Sequence, residues 1–153
     1  MEIISPDQLN QKEEQLLKQA FESSKRSNSD KGHKLGCALL SSNGETFQGA
    51  TNVRTRAIGL TCAERMAVDQ LKFNGNTTPE LCAVTGFLVR EGWKDSYICT
   101  PCGVCLEMFW ELILSHDLED LPFVCSSWNK ERILKANLTE LYPQVGKGRW
   151  ERE

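Results

Sequence analysis

The sequence lacks both a long hydrophobic run and an excess of positive charge. No stretch approaches the roughly 20 apolar residues needed to span a bilayer, and the first ten residues do not resemble a secretory signal. Eighteen Lys and Arg residues stand against 21 Asp and Glu residues, a net charge of −3. Nucleic-acid binders normally carry a basic face. We therefore expect a cytoplasmic protein that binds neither membranes nor nucleic acids.

The sequence also lacks the even cysteine count that is typical of a disulfide framework, because it contains seven cysteines. Four of them lie in or near apolar stretches, as free buried thiols usually do. A reduced environment fits this pattern best. These four are Cys37, Cys82, Cys99 and Cys125.

The pattern of apolar residues predicts one α/β domain covering residues 1–153. Because strands alternate with helices, we expect three layers, with helices on both faces of one sheet. A turn at Ser42-Asn43-Gly44 predicts a hairpin, and the segment 129–136 is compatible with a helix or with the start of a strand. Strands are predicted over 35–40, 46–53, 81–89 and 121–125, and helices over 5–24, 61–73, 102–114 and 138–142.

Two short motifs carry the candidate chemistry: C-x-E at 62–64 and P-C-x-x-C at 101–105. Cys102 and Cys105 lie one helical turn apart and can reach one ion, and Cys62 must join them through tertiary packing. Three thiolates leave the fourth tetrahedral position of Zn²⁺ free for water, which is typical of a catalytic zinc. Glu64 is then the candidate for moving protons. Both motifs lie at predicted helix starts, where the helix dipole favours thiolates.

Other readings of these residues remain open from the sequence. Cys99 and Cys102 form an overlapping C-x-x-C that could be a redox pair. A structural four-cysteine zinc site could use Cys99 or Cys125 as its fourth ligand, although such sites usually consist of two close pairs. Glu64 could also serve only as the acid of a capping box with Thr61.

The motifs resemble those of the cytidine deaminase family, which acts on free nucleosides. The resemblance extends over 35–143: the predicted hairpin, the segment Asn52-Val53, Glu111 six residues after Cys105, and an L-x-E-L-x-P segment at 138–143. It implies a cytidine-deaminase-like α/β/α fold, with a mixed sheet of about five strands. It also implies a homotetramer whose active sites are completed by neighbouring subunits.

The resemblance implies a role for each matching residue. Cys62, Cys102 and Cys105 would bind Zn²⁺. Glu64 would take a proton from water, donate to ring N3 and later deliver a proton to the leaving amine.

The neighbours of these residues would bind the substrate and balance the charge. The backbone N–H of Ala63 would donate to the base carbonyl, and Asn52 would bind the nucleoside. Arg65 would donate to the ligand sulfurs and offset the negative charge of three thiolates.

The sequence departs from the family pattern at several positions. Leu106-Glu107 replaces an Arg-Gln pair, the segment 52–62 is about one residue short, and His33 stands where an aromatic residue commonly covers the base. Arg54 replaces an acid near the sugar. Because a guanidinium binds carboxylate or phosphate with two parallel hydrogen bonds, Arg54 suggests a substrate with an anionic group.

The sequence therefore predicts a zinc-dependent deaminase that converts cytidine or deoxycytidine to uridine or deoxyuridine and ammonia, in pyrimidine salvage. One alternative is a deaminase of an anionic aminopyrimidine, either a cytidine nucleotide or an antibiotic of the blasticidin S type. An alternative of another class is a catalytically silent binding module that zinc stabilises.

Overall fold

The computed structural model describes residues 1–29, 31–53 and 60–142. Within these ranges the strands are β1 (Glu2–Ile4), β2 (Lys34–Ser41), β3 (Thr46–Ala50), β4 (Pro79–Phe87), β5 (Pro122–Ser126) and β6 (Ile133–Asn137). The α-helices are α1 (Gln11–Ser24), α2 (Ala63–Phe73), α3 (Gly103–Ser115) and α4 (Leu138–Leu141), and a 3-10 helix covers Pro6–Gln8. No helix in the described ranges is long and apolar enough to cross a membrane.

The strands form one sheet in the order β1-β6-β5-β4-β2-β3. Only β4 and β5 run parallel; the other neighbours among these strands are antiparallel. The predicted mixed sheet is confirmed, but it has six described strands rather than about five. The additional strand is β1, whose three residues are too few to show an alternating pattern.

The sheet separates two apolar clusters, which confirms the three-layer prediction. Leu81 and Ala83 of β4 pack with α1, whereas Cys82 and Val84 pack with α2 and α3 on the opposite face. Successive residues of a strand point to opposite faces, and a strand covered on both faces is apolar throughout. This is why residues 81–84 in the middle of β4 form a continuous apolar run.

The start of the first helix differs from its prediction. The chain forms the 3-10 helix Pro6–Gln8 and then restarts at α1, because Asn10 and Glu13 make a capping box. The Asn10 side chain accepts from the Glu13 N–H at 2.9 Å, and the Glu13 carboxylate accepts from the Asn10 N–H at 3.0 Å. Because Pro6 is typical of a first helical turn, the predicted start lies six residues before that of α1.

Other boundaries shift by a few residues. β3 ends at Ala50 instead of residue 53, and β4 begins and ends two residues earlier than predicted. The open choice for 129–136 is resolved in favour of the strand β6. The hairpin turn is confirmed, with Gly44 at φ +87°, a conformation that glycine adopts without strain.

Candidate active site and metal centre

Two helices begin at cysteines. Cys62 is the N-cap of α2 (φ −68°, ψ 152°), and Cys102 is the N-cap of α3 (φ −75°, ψ 167°). Neither thiol makes a capping hydrogen bond, so both sulfurs are available to a ligand. The predicted capping box of Thr61 and Glu64 is wrong, because α2 begins one residue later and Glu64 is only the second residue of the helix.

The three predicted ligands come together although Cys62 lies 40 residues before Cys102 in the chain. The Sγ atoms of Cys62, Cys102 and Cys105 all lie within 4.8 Å of one another. Zn–S bonds of about 2.3 Å in tetrahedral geometry place sulfurs about 3.8 Å apart. The cluster therefore fits one zinc ion after small side-chain movements. The three cysteines differ in solvent exposure: Cys105 is buried, Cys62 is half-buried and Cys102 is exposed.

The electrostatics of the cluster favour one thiolate even without metal. A hydrogen bond from the Cys105 thiol lowers the pKa of Cys62 to about 7, and the positive charge of Arg65 acts in the same direction. The same hydrogen bond, together with burial, raises the pKa of Cys105. Arg65 itself is exposed on the surface of α2. Cys62 is thus prepared for metal binding, which requires the thiolate.

Glu64 lies beside the cluster with only 7% of its surface exposed. Burial raises the pKa of its carboxyl group, and its own backbone N–H and the Cys105 thiol partly offset this effect. Such a carboxyl group binds a proton more readily than an exposed one. Glu64 therefore has the properties that a proton carrier needs.

A glycine determines how closely the start of α2 approaches the sheet. A Cβ atom at Gly49 of β3 would lie 2.0 Å from the Ala63 carbonyl oxygen and 2.9 Å from the Ala67 nitrogen. Only glycine leaves room for this approach. Ala63 is consequently buried against β3, with 1% of its surface exposed.

Asn52 lies next to the cysteine cluster through a pair of backbone hydrogen bonds. Its N–H donates to the Thr61 carbonyl at 2.9 Å, and the Thr61 N–H donates to the Asn52 carbonyl at 3.0 Å. Thr61 directly precedes Cys62. The structure thus brings Asn52, Ala63 and Glu64 to one region.

His33, another predicted substrate contact, directly precedes β2. His33 is half-buried, and its Nδ1 accepts from the Val89 N–H at 2.8 Å, which ties the loop before β2 to the segment after β4. Arg54 lies outside the described residues.

Asn28 is a neighbour of the site that the sequence did not indicate. It donates from its N–H to the Thr51 carbonyl at 2.9 Å, and its own carbonyl accepts from the Val53 N–H at 2.8 Å. These bonds hold the loop after α1 against the segment that contains Asn52. The segment 23–34 shows only polar composition, and a pairing across 24 residues leaves no local signal.

The structure bears on the other readings of the cysteines. Among the described residues, the cluster of candidate metal ligands contains three cysteines and includes neither Cys99 nor Cys125. Burial raises the pKa of Cys99 to about 12, which opposes a role as a reactive redox thiolate. The four cysteines outside the cluster are all buried and free, as predicted.

Comparisons with known proteins converge on one family. The chain matches the pattern of the cytidine and deoxycytidylate deaminase zinc-binding region over residues 10–116. A probable cytidine deaminase of Dictyostelium discoideum is 40% identical over 73 residues, which are 47% of this chain and 45% of that protein. The match thus spans less than half the length of that curated relative.

Solved structures of low sequence identity share the fold. Cytidine deaminase from Burkholderia pseudomallei superposes with a TM-score of 0.72 at 20% identity, over 90% of this chain and 100% of that one. The Mycobacterium leprae enzyme has a TM-score of 0.65 at 17% identity, with 85% and 96% covered. The Bacillus anthracis enzyme has a TM-score of 0.58 at 20% identity, with 92% and 91% covered.

Proposed function

The chain belongs to the cytidine and deoxycytidylate deaminase family of aminohydrolases, and from this premise we propose that it deaminates a 4-aminopyrimidine nucleoside hydrolytically. Cytidine or deoxycytidine and water would give uridine or deoxyuridine and ammonia, in cytoplasmic pyrimidine salvage. The observation that carries the proposal is the convergence of three cysteine sulfurs beside a buried glutamate. A purely structural zinc site does not need that glutamate.

Zinc is the cofactor that this donor set fits. Cys62, Cys102 and Cys105 would hold the ion. A zinc ion with three protein ligands keeps one position for water and lowers the pKa of that water towards neutrality. Arg65 would offset part of the negative charge of the thiolates, since its charge already lowers the pKa of Cys62.

Glu64 is the proposed catalytic residue. It accepts one proton from the attacking water and passes it to ring N3 while the water oxygen bonds to C4. It then carries the second proton to the amino nitrogen, the C4–N bond breaks, and ammonia leaves. A carboxyl group whose pKa is raised by burial suits this work, because it must hold a proton in one step and release it in the next.

Three groups are proposed to bind and orient the substrate. The N–H of Ala63 belongs to the first turn of α2, where backbone donors have no partner within the helix, and it would donate to the base carbonyl. Asn52, paired with Thr61, would bind the sugar. His33 is proposed to contact the base.

The test of this proposal combines zinc content with ammonia release from cytidine and deoxycytidine. Glu64→Gln should retain about one zinc per chain and lose roughly 10²–10⁴-fold in rate, the range typical of a lost general acid–base group. Glu13→Gln is a matched control, because Glu13 is equally buried at 7% but lies on α1, across the sheet. Zinc at one per chain without turnover of either nucleoside would instead support the silent binding module.

A substrate with an anionic group is the alternative that Arg54 suggests. An arginine near the sugar would favour cytidine monophosphate or a carboxylated nucleoside over cytidine. Arg54→Glu should then lower kcat/KM for cytidine monophosphate more than for cytidine. An unchanged ratio of the two kcat/KM values would show that Arg54 does not favour an anionic substrate.

Neighbouring copies of the chain are proposed to cover the site in a homotetramer. Val104, between two of the candidate ligands, is 64% exposed, and Leu60, two residues before Cys62, is 40% exposed. Apolar side chains at this position are suited to burial by another subunit. Sedimentation of the purified protein measures the subunit count.

A further inference from the structure

A cavity of about 170 Å³ lies beside Asn52, along the edge strand β3. Its lining residues come from the end of α1, the loop that follows, β3 and α2. No Asp or Glu is among the described lining residues, and the polar ones carry amides, a hydroxyl or a guanidinium. They are Ser23, Arg26, Asn28, Gln48, Asn52 and Gln70.

The cavity borders the candidate active site through two lining residues. Asn52 is bonded to Thr61, which precedes Cys62. Met66 lies one helical turn after Cys62, and its N–H donates to the Cys62 carbonyl at 3.1 Å. A substrate whose sugar lies at Asn52 could therefore extend one substituent into the cavity.

Hydrogen bonds hold Gln48 at the cavity. The Ser23 hydroxyl lies within hydrogen-bond distance of both Gln48 Oε1 (2.8 Å) and the Gln19 carbonyl oxygen (2.9 Å), and Gln70 Nε2 donates to the Gln48 carbonyl at 2.7 Å. The amide group of Gln48 is thus fixed among the lining residues, where it can donate to a ligand. Within the described part of the chain, the guanidinium of Arg26 forms no ion pair.

The size and charge of the cavity indicate an anionic substituent. Sites that enclose a whole small molecule measure about 300–1,000 Å³, so this cavity accommodates only part of one. An arginine fork and an amide donor, with no carboxylate among the described lining residues, suit phosphate, which accepts several hydrogen bonds at once. Neighbouring Lys25 is not among the lining residues; it pairs with Glu22 at 2.9 Å.

We propose that this cavity binds the 5′-phosphate of a cytidine nucleotide, with Arg26 and Gln48 as donors. The inference rests on the proposed function, since it assumes that the base lies at Glu64 and the sugar at Asn52. It names a nucleoside monophosphate as the preferred substrate class. It uses no property of Arg54.

The test compares product binding with turnover in the zinc-loaded protein. Calorimetry measures the Kd of uridine, uridine monophosphate and inorganic phosphate, and ammonia release is recorded for cytidine and cytidine monophosphate. Uridine monophosphate should bind at least about tenfold more tightly than uridine, the scale of one hydrogen bond to a charged group. Arg26→Gln should abolish this preference, whereas Lys25→Gln, the neighbouring cation outside the cavity, should retain it.

Each outcome decides the inference. A preference for the nucleotide that survives Arg26→Gln, or no preference at all, overturns it even if cytidine is deaminated. Inorganic phosphate that binds as tightly as the nucleotide, in an Arg26-dependent way, assigns the cavity to free phosphate and also overturns it. Failure of the proposed function is a separate result, in which neither cytidine nor its monophosphate releases ammonia.

Discussion

The seven cysteines occupy two regions that differ in how the backbone presents the thiol. In one region the cysteines lie in the first turn of a helix or cap it, and in the other they lie within strands or are buried beside them. A hydrogen bond from Cys105 lowers the pKa of Cys62 to about 7, whereas burial raises the pKa of Cys82 and of Cys125. The first region holds Cys62, Cys102 and Cys105, and the second holds Cys37, Cys82, Cys99 and Cys125.

The difference is clearest between Cys62 and Cys82, because the pKa of Cys105 is raised although Cys105 lies in the first region. A helix start supplies unpaired backbone N–H groups and a positive potential that stabilise a thiolate. The interior of the sheet supplies neither, and burial raises the pKa of Cys82, whose sulfur lies 3.6 Å from that of Cys37. Their role is to fill the core.

Removing one cysteine from each region should give the largest contrast. Cys62→Ser should reduce zinc from about one per chain to almost none, and ammonia release should fall to background, because two thiolates cannot hold a catalytic ion tightly. Cys125→Ala should lower thermal stability by about 1 kcal/mol through a small cavity and leave zinc content unchanged. Elemental analysis and calorimetry measure both effects. Zinc retained by Cys62→Ser would remove Cys62 from the ligand set.

Alanine substitutions at Gly49, beside the start of α2, and at Gly103, at the start of α3, should differ in their effects. Gly49→Ala should destabilise the protein by about 1–3 kcal/mol and weaken zinc binding, because its Cβ would collide with the Ala63 carbonyl and displace α2. Gly103→Ala, at the first position of α3, meets nothing within 4 Å and should be neutral or slightly stabilising. Urea unfolding and competition with a chelator measure the two properties. Equal effects of the two substitutions would show that the contact at Gly49 does not position Cys62.

The residues of the candidate site could be predicted from the sequence, but the exact start of α2 could not. The three clustered cysteines and the buried Glu64 beside them were predictable, because C-x-E and P-C-x-x-C are local patterns at helix starts. The start of α2 was not, since the capping-box pattern favoured Thr61 as the N-cap, whereas the N-cap in the structure is Cys62.

Contacts between segments far apart in the chain could not be predicted from the sequence either. β1 forms because three residues add to the edge of β6, and no pattern of three residues can signal this. The cavity beside Asn52 likewise joins side chains from separate elements, among them Arg26 and Gln70. Both features depend on tertiary contacts between segments that look ordinary in isolation.

A smaller effect concerns the pKa difference between the two groups of cysteines in the zinc-free protein. A thiol with a pKa of about 7 is protonated below that pH and thiolate above it. Alkylation of Cys62 by iodoacetamide should therefore rise about tenfold between pH 6 and pH 8 and then level off. Cys82 and Cys125 should remain unlabelled throughout this range, because burial excludes the reagent and keeps both protonated.

Arg65 provides a finer test of the same profile. Arg65→Gln removes a positive charge that lowers the pKa of Cys62, so the midpoint should move to higher pH. The labelling rate at pH 7 should fall by up to roughly threefold, as expected for a solvent-exposed charge. Lys72→Gln is the matched control, since Lys72 lies in the last turn of the same helix. Peptide mapping by mass spectrometry gives the rate at each cysteine, and equal shifts in both variants would mean that net charge, rather than the position of Arg65, acts on Cys62.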